Sequence, residues 1–172
     1  FVLFTGLVSK DHLSGGDQLF LDLAPRLPKE IELVIIMPEF ALKHWQSVKR
    51  GNINFKLLKS NVFDFYSNPL LVLFSYLIRS WQTYNILKKE EKIDAIYSCS
   101  DVAYADIWPA FLVCQKRPEI SWVTRIYHVL LAPGKRHGNT LVNSAAFYLQ
   151  RFSFLLIKKR SNHILALNGK LK

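Results

Sequence analysis

The chain has 172 residues, of which 50% are hydrophobic and 21% charged, so it is long enough to bury a core and too apolar to be intrinsically disordered. Its net charge of +10 favours an anionic partner (nucleic acid, an acidic membrane surface or a phosphorylated substrate), but charge alone does not distinguish these from a solvated basic surface. Two cysteines, Cys99 and Cys114, are too few for a disulfide framework and have no metal-type cluster around them, so we expect both in the core of a protein from a reducing compartment.

The first eighteen residues predict a strand, a connection and the start of a helix. The apolar run that opens at Phe1 is typical of a buried strand. The next apolar positions recur every four residues, on one face of a helix: Leu19, Leu23 and Leu27. Gly15 and Gly16 fall in between, where glycine permits a sharp bend and lets a ligand approach the unpaired N–H groups of a helix start. A plain glycine turn is the alternative, since a lone Gly-Gly pair is weak as a motif.

Strands and helices alternate through the rest of the chain. Apolar runs bounded by turn residues or charges predict strands over 31–37, 53–58, 93–97, 120–127 and 164–167. Residues 40–49 are either a short helix or a loop, and further loops are expected over 61–68 and 132–138. Helical patterns run from Pro69 to about 89 and from Leu141 to about 159. A third helical pattern begins after the polar turn 98–101 and runs to about 116.

The helix that begins at Pro69 is strongly apolar. Its apolar residues recur at spacings of three and four: Leu73, Leu77, Trp81 and Tyr84. Ser75 and Arg79 interrupt the continuous apolar run, which is therefore shorter than the roughly 20 residues that a membrane span needs. We therefore predict a helix that does not cross a membrane.

The alternation of strands and helices predicts a parallel sheet covered by helices on both faces, an open α/β fold. Ligands of such sheets bind beyond the carboxyl ends of the strands. Four glycine-rich or polar sites follow the predicted strand ends: Gly15-Gly16, 98–101, His128 and Asn168. Their expected meeting on one edge indicates a binding site better than any one of them alone.

Taken in order, these pieces resemble the N-terminal domain of GT-B-fold glycosyltransferases, of the retaining family 4 type that includes lipopolysaccharide and phosphatidylinositol sugar transferases. The matching pieces spread over nearly all 172 residues: the first strand with Ser14-Gly15-Gly16, the strand 93–97 with its polar turn and helix, the segment 120–128, the long helix that ends in basic residues, and the segment 161–168. The resemblance implies that residues 1–172 form the acceptor-side, Rossmann-like half of a GT-B fold, without the C-terminal nucleotide-sugar-binding domain.

The resemblance also implies a reaction, the transfer of a hexosyl group from a UDP- or GDP-linked sugar to a glycan or a lipid-linked acceptor. Gly15 and Gly16 would approach the donor diphosphate or the acceptor through their N–H groups. His128 would position the transferred sugar or its leaving phosphate; without the resemblance, a histidine at a strand end is more often structural. No metal and no further cofactor is expected, because a helix dipole and basic residues offset the diphosphate charge in this family. The implied location is cytoplasmic.

Three further candidates for substrate binding have alternative roles. Asp17 either orients an acceptor hydroxyl or is a carboxylate stabilised by the dipole of a helix N-terminus. Asp101 follows a strand end, but it suits the cap of the next helix better than it suits a catalytic base. Asn168 stands where the family has a serine, with Gly169 next, so the role of this turn is open.

Other features suggest that the chain is a fragment. The family has two glutamates separated by seven residues in its C-terminal domain, and no such pair occurs in this sequence. The sequence also begins within a strand pattern and stops within what looks like the start of a helix. We therefore expect a piece of a longer protein that is inactive alone.

The basic residues beside apolar helices suggest a membrane partner. Lys135, Arg136 and 158–160 suit the anionic headgroups of a membrane surface, which would make the protein peripheral; a solvated basic rim is an equal alternative. The remaining histidines include His12, which is a weaker candidate for the cleft. Three others have no partner pattern and are expected at the surface: His44, His137 and His163.

Other functional classes fit the sequence less well. A dehydrogenase needs Gly-x-Gly-x-x-Gly after the first strand, and a phosphate-loop NTPase needs Gly-x-x-x-x-Gly-Lys-Ser/Thr; neither motif occurs. The main alternative is a non-catalytic basic α/β domain that binds nucleic acid or another anion. The basic residues are scattered and form no recognised nucleic-acid motif, so we expect no nucleic-acid partner.

Overall fold

The computed structural model describes residues 2–4, 15–46, 48, 51–59, 68–98, 104–126, 129–135 and 140–166. Within these ranges six strands form one sheet: β1 (Val2–Phe4), β2 (Leu33–Pro38), β3 (Ile53–Leu58), β4 (Ala95–Ser98), β5 (Ser121–Ile126) and β6 (His163–Ala166). The strand order is β3-β2-β1-β4-β5-β6, and each neighbouring pair is parallel. Strands are added outward from β1 and then outward from β4, which is the doubly wound order of Rossmann-like sheets. The predicted open α/β fold is confirmed.

Helices connect these strands. Over the described ranges the α-helices are α1 (Gly15–Leu23), α2 (Leu42–Trp45), α3 (Pro69–Lys89), α4 (Tyr104–Lys116) and α5 (Thr140–Arg160). Short 3₁₀ turns follow α1 over Ala24–Arg26 and precede α2 over Glu39–Ala41. The first helix ends before the predicted Leu27, because Pro25 has no N–H for a further α-helical hydrogen bond.

The start of α3 agrees with its prediction and has a clear local cause. The Asn68 side chain accepts a 3.0 Å hydrogen bond from the N–H of Leu70 and so caps the helix. Pro69 occupies the first helical position, where its missing N–H has no helical partner to lose. Lys88 and Lys89 lie in the last turn, where positive charge suits the helix dipole.

Both faces of the sheet are covered, as β2 shows. All six residues of β2 are buried, which is typical of a central parallel strand. Leu33, Ile35 and Met37 pack into one core cluster with residues of α1 and α2. Val34 and Ile36 pack into the opposite cluster with residues of α3, α4 and α5. Because burying each such side chain is worth about 1.5–3 kcal/mol, this strand contributes strongly to the stability of both layers.

Arg160 fixes the connection from α5 to β6. Its guanidinium donates hydrogen bonds of 2.9, 3.0 and 3.4 Å to backbone carbonyl oxygens, those of Cys114, Pro118 and Ile120. Next along the chain, the N–H of Asn162 donates to the carbonyl of Trp122 at 2.8 Å, and the Asn162 side-chain oxygen accepts from the N–H of Trp122 at 2.8 Å. Side-chain hydrogen bonds therefore secure the edge strand β6, all four residues of which are exposed.

Candidate functional site

The carboxyl ends of the strands lie along one edge of the sheet, because each neighbouring pair is parallel. The strand order reverses between β1 and β4, which pair directly, with Leu3 opposite Tyr97. In doubly wound sheets such a reversal opens a crevice at the carboxyl edge, and ligands bind there. The topology therefore places the candidate site where β1 and β4 end, at Phe4 and Ser98.

Gly15 and Gly16 lie at this edge. They are the first two residues of α1, which joins the parallel neighbours β1 and β2 and must therefore start at the carboxyl edge. Both belong to the helix, so the turn expected between strand and helix does not include them. A helical backbone does not require glycine, so the sharp bend is excluded as their role. Close approach of another group to the helix start stays a prediction for these two glycines.

Of the other predicted site residues, the structure places Asp17 and leaves three undescribed. Asp17 is the third residue of α1, within the first turn, where a carboxylate is stabilised by the helix dipole. This position agrees with either role given to it above. Asp101, His128 and Asn168 lie outside the described residues, and their roles stay predictions.

The segment after His128 is held by a buried side chain. The N–H of Leu130 donates a 2.7 Å hydrogen bond to Oε1 of Gln150, on α5. Five residues on, the N–H of Lys135 donates to the carbonyl of Ala132 at 3.1 Å and closes a turn. Gly134 in this turn has φ +85°, a conformation that glycine adopts without strain. This half of the predicted loop 132–138 is thus a defined turn.

Ser98 has a structural role instead of a role in the predicted polar turn. It is the last residue of β4, is fully buried, and its Oγ accepts a 2.7 Å hydrogen bond from the Trp122 indole N–H. Trp122 is also fully buried, so the hydroxyl supplies the partner that a buried indole requires. The predicted polar turn 98–101 therefore starts one residue too early, because Ser98 belongs to the strand.

Sequence reasoning missed a buried polar cluster that lies close to the same edge. Arg79 of α3 is 4% exposed, and its guanidinium carbon is 5.6 Å from the centroid of the Phe40 ring, just beyond the end of β2. Asp106, in the first turn of α4, is 2% exposed. Burial raises the pKa of the Tyr76 phenol; the charge of Arg79 opposes that shift and the charge of Asp106 adds to it. The interruption of the apolar run by Ser75 and Arg79 was the signal in the sequence for this cluster.

Cys114 is a core residue, as predicted. It is fully buried as a free thiol, and burial raises its pKa from 9.0 to about 11, against the lowering influence of Arg160 and Arg117. At neutral pH the sulfur is therefore a protonated thiol and a poor nucleophile. Cys99 lies outside the described residues.

The basic residues and histidines near the ends of the elements divide into two groups. Lys135, Lys158 and Lys159 are exposed, whereas Arg160 is occupied with backbone carbonyls. Arg136 lies outside the described residues, and an anionic partner for these residues stays a prediction. His163 is exposed, which confirms its predicted surface position. His44 lies only partly at the predicted surface, because the residue is half-buried and its Nε2 atom is shielded from solvent.

Within the described residues, no group of three or more His, Cys, Asp or Glu side chains is arranged to hold a metal ion. Among the described helices, none combines the length and the hydropathy needed to pass through a bilayer.

Comparison with known proteins does not assign the chain to a family. The sequence matches no protein-family model, and a search of curated proteins finds no significant match. The fold and the edge geometry define the chain as an α/β protein with a doubly wound, Rossmann-like sheet.

Proposed function

We propose that this chain is the acceptor-side domain of a retaining GT-B glycosyltransferase. The reaction is the transfer of a hexosyl group from a UDP- or GDP-linked sugar to a glycan or a lipid-linked acceptor. The observation that supports this most is the position of Gly15 and Gly16. They begin α1 at the carboxyl edge of the sheet, and α1 follows β1, one of the two strands between which the strand order reverses. Helix N–H groups without a Cβ in front of them suit a diphosphate or a sugar hydroxyl.

The proposal gives each predicted site residue a role. Gly15 and Gly16 present N–H groups to the diphosphate or the acceptor, and Asp17 orients an acceptor hydroxyl. His128 positions the transferred sugar or its leaving phosphate. Two more residues contact substrate at neighbouring strand ends: Asp101 and Asn168. The remaining donor contacts come from a C-terminal domain, and neither metal nor cofactor takes part.

The hydrogen bond from Leu130 to Gln150 holds the described segment that begins at Val129, the residue that follows His128 in the sequence. Gln150 is fully buried in α5, so the amide is fixed by the core, and Leu130 lies only two residues beyond the histidine. A positioned side chain is what transfer chemistry requires, because small displacements of a catalytic group are costly to the rate. The proposed setting is the cytoplasmic face of a membrane, where a lipid-linked acceptor is presented.

The experiment is turnover of nucleotide-sugars by the full-length protein and two pairs of variants. His128→Ala is expected to lower turnover of the preferred donor at least about a hundredfold, as for loss of a catalytic group. Its control is His163→Ala, because His163 is exposed on β6 and has no role in the proposal. Gly16→Val is expected to abolish turnover, while Gly51→Val, where an added Cβ meets no atom within 4 Å, leaves it unchanged.

The outcomes separate the proposal from its alternative. Selective loss in the two site variants, with unchanged circular dichroism, supports the glycosyltransferase. If wild-type protein turns over none of the donors and binds duplex nucleic acid with strongly salt-dependent affinity, the non-catalytic basic domain replaces the proposal. Equal activity of His128→Ala and His163→Ala removes the histidine from the site.

A further inference from the structure

The helical layer formed by α3, α4 and α5 has an unusual distribution of polar and apolar residues. The three helices cover the same face of the sheet, with α4 between α3 and α5. On α3 the buried side includes four polar residues: Ser75, Arg79, Ser80 and Thr83. The exposed side of the same helix is a stripe of large apolar residues at spacings of four and three: Leu70, Phe74, Leu77 and Trp81. The amphipathic pattern of a surface helix is thus inverted over this part of α3.

The second long helix repeats the inversion. On α5 the buried positions include Gln150 and Ser153, both almost completely inaccessible to solvent. The exposed positions again form one stripe of large side chains: Leu141, Tyr148, Phe152 and Leu155. On α4, between these helices, Trp108 is 39% exposed. We call these nine exposed residues of α3, α4 and α5 the apolar face.

The extent of exposure is large for side chains of this kind. Trp81 is 67% exposed, Leu141 72% and Leu155 66%. Single exposed apolar residues are ordinary, but stripes on two helices of one layer mark a surface that contacts an apolar environment.

The charges on the same three helices are of one sign. The only acidic residue in α3, α4 and α5 is Asp106, which is 2% exposed. Their exposed charges are all basic: Lys88, Lys89, Lys116, Arg151, Lys158 and Lys159. The layer therefore combines an apolar face with an entirely positive set of exposed charges, which is the composition of a surface that binds anionic lipid.

A second copy of the chain fits this surface poorly. A two-fold interface sets the same patch against itself, so the basic residues of both copies would approach one another. The exposed acidic residues nearest to them in the chain, Glu91 and Glu119, lie beyond the ends of α3 and α4 and not on the helices. A bilayer with anionic headgroups offers both the apolar phase and the opposite charge. The aromatic residues also suit the boundary, since Trp81, Trp108 and Tyr148 have an apolar ring with a polar group.

We propose that the apolar face of α3, α4 and α5 docks the protein in the plane of an anionic lipid bilayer. Trp81, Phe74 and the stripe of α5 enter the acyl boundary, and the exposed lysines contact lipid phosphates. α3 and α5 connect parallel strands and start at the carboxyl edge. Leu70, Phe74 and Leu77 therefore lie in the half of α3 nearer to the candidate site, whereas the stripe of α5 runs along most of that helix, from Leu141 to Leu155. The inference does not depend on the proposed reaction, although docking through the first half of α3 would bring the candidate site close to a lipid-linked acceptor.

The test is flotation of the intact protein with vesicles, without any nucleotide-sugar. Wild-type protein is expected to bind vesicles of phosphatidylcholine containing phosphatidylglycerol, and to bind phosphatidylcholine alone at least about tenfold more weakly. The double variant Trp81→Gln/Leu155→Gln is expected to weaken binding to anionic vesicles by about tenfold or more, because two apolar side chains that would be buried in the bilayer are lost. The variant Lys158→Glu/Lys159→Glu is expected to weaken binding to anionic vesicles and to leave the weaker binding to phosphatidylcholine alone unchanged.

The matched control is Leu23→Gln, which changes an exposed leucine of α1 on the opposite face of the sheet and is expected to leave binding unchanged. All variants alter exposed side chains, and circular dichroism checks that they fold. No flotation of wild-type protein with anionic vesicles overturns the proposal. Unchanged flotation of the Trp81→Gln/Leu155→Gln variant also overturns it. If sedimentation equilibrium instead shows dimers that this variant separates, the face is an interface between copies.

Discussion

The backbone N–H of Leu130 donates a 2.7 Å hydrogen bond to Oε1 of Gln150, and both residues are buried. Leu130 lies two residues beyond His128 in the connection that leaves β5, whereas Gln150 lies in the middle of α5. One side-chain amide therefore joins the described segment that follows β5 in the chain to the helix α5. The position of this segment depends on the core and not only on its own sequence.

Gln150→Leu tests that dependence. The substitution leaves the buried N–H of Leu130 without this acceptor, so the free energy of unfolding is expected to fall by about 1–3 kcal/mol. Urea unfolding measures it. Gln115→Leu, at an exposed position of α4, is the control and is expected to change stability by less than about 0.5 kcal/mol. Equal effects of the two substitutions would mean that the hydrogen bond does not hold the segment.

The bond between Ser98 and Trp122 is tested by a double-mutant cycle. Ser98→Ala leaves the buried indole N–H without this acceptor, and Trp122→Phe removes the donor, so the two changes together are expected to cost less than the sum of each alone. The expected coupling is about 1 kcal/mol in the free energy of unfolding. A coupling of zero would show that the 2.7 Å contact contributes nothing to stability.

Arg160→Lys tests whether Arg160 has a structural role that the lysines beside it do not have. A lysine lacks the planar fork that donates to several carbonyls at once, so the variant is expected to be less stable by about 1.5–3 kcal/mol. Lys158→Ala, an exposed neighbour, is expected to stay within about 0.5 kcal/mol of wild type. Thermal unfolding distinguishes the two. A greater loss for Lys158→Ala would contradict the structural role given to Arg160.

The pH dependence of stability tests the environment of Cys114. Its pKa is raised from 9.0 to about 11 in the folded protein, so above pH 9 the unfolded chain releases this proton first. The free energy of unfolding is therefore expected to fall as pH rises from 9.0 to about 11. The total loss from this group is expected to be about 2–3 kcal/mol.

Cys114→Ala is the control, because it keeps every other group that titrates in this range. The difference between the two stability curves isolates the thiol. Parallel curves would contradict the raised pKa. The same burial predicts that native Cys114 reacts slowly with a thiol reagent at neutral pH, whereas the urea-unfolded chain reacts fast.

The alternation of the elements was predictable from sequence, and so were several of their bounds. The strand Ile53–Leu58 has its predicted limits because polar turns flank a short alternating run. The start of α3 was predictable because Asn68 and Pro69 are a cap and a first helical residue. These signals are local, so they survive without knowledge of the tertiary structure.

The direction in which a helix faces was not predictable. Spacing shows that Leu77 and Trp81 lie on one side of α3, but the structure turns that side outward and buries Arg79 and Ser75 instead. Periodicity gives the relative positions of side chains around a helix and not their orientation toward the sheet. The buried cluster with Tyr76 and Asp106 was missed for the same reason.

The candidate site was predictable only as an edge. Parallel topology requires the residues that follow the strands to lie along the carboxyl edge of the sheet. The order of the elements in the sequence therefore indicates the region of the candidate site. The contacts there depend on connections between elements, whose conformations have no periodic signal. Gly15 and Gly16 illustrate this, since they belong to the helix and not to the turn before it.

The most direct test of the proposed function is release of nucleoside diphosphate by the intact protein from a panel of UDP- and GDP-linked sugars, with a membrane lipid extract as acceptor. The proposal predicts that one donor is consumed, that a sugar appears on the acceptor, and that its anomeric configuration is retained. Release of no nucleoside diphosphate from any donor by a folded, full-length protein would contradict the proposed glycosyltransferase.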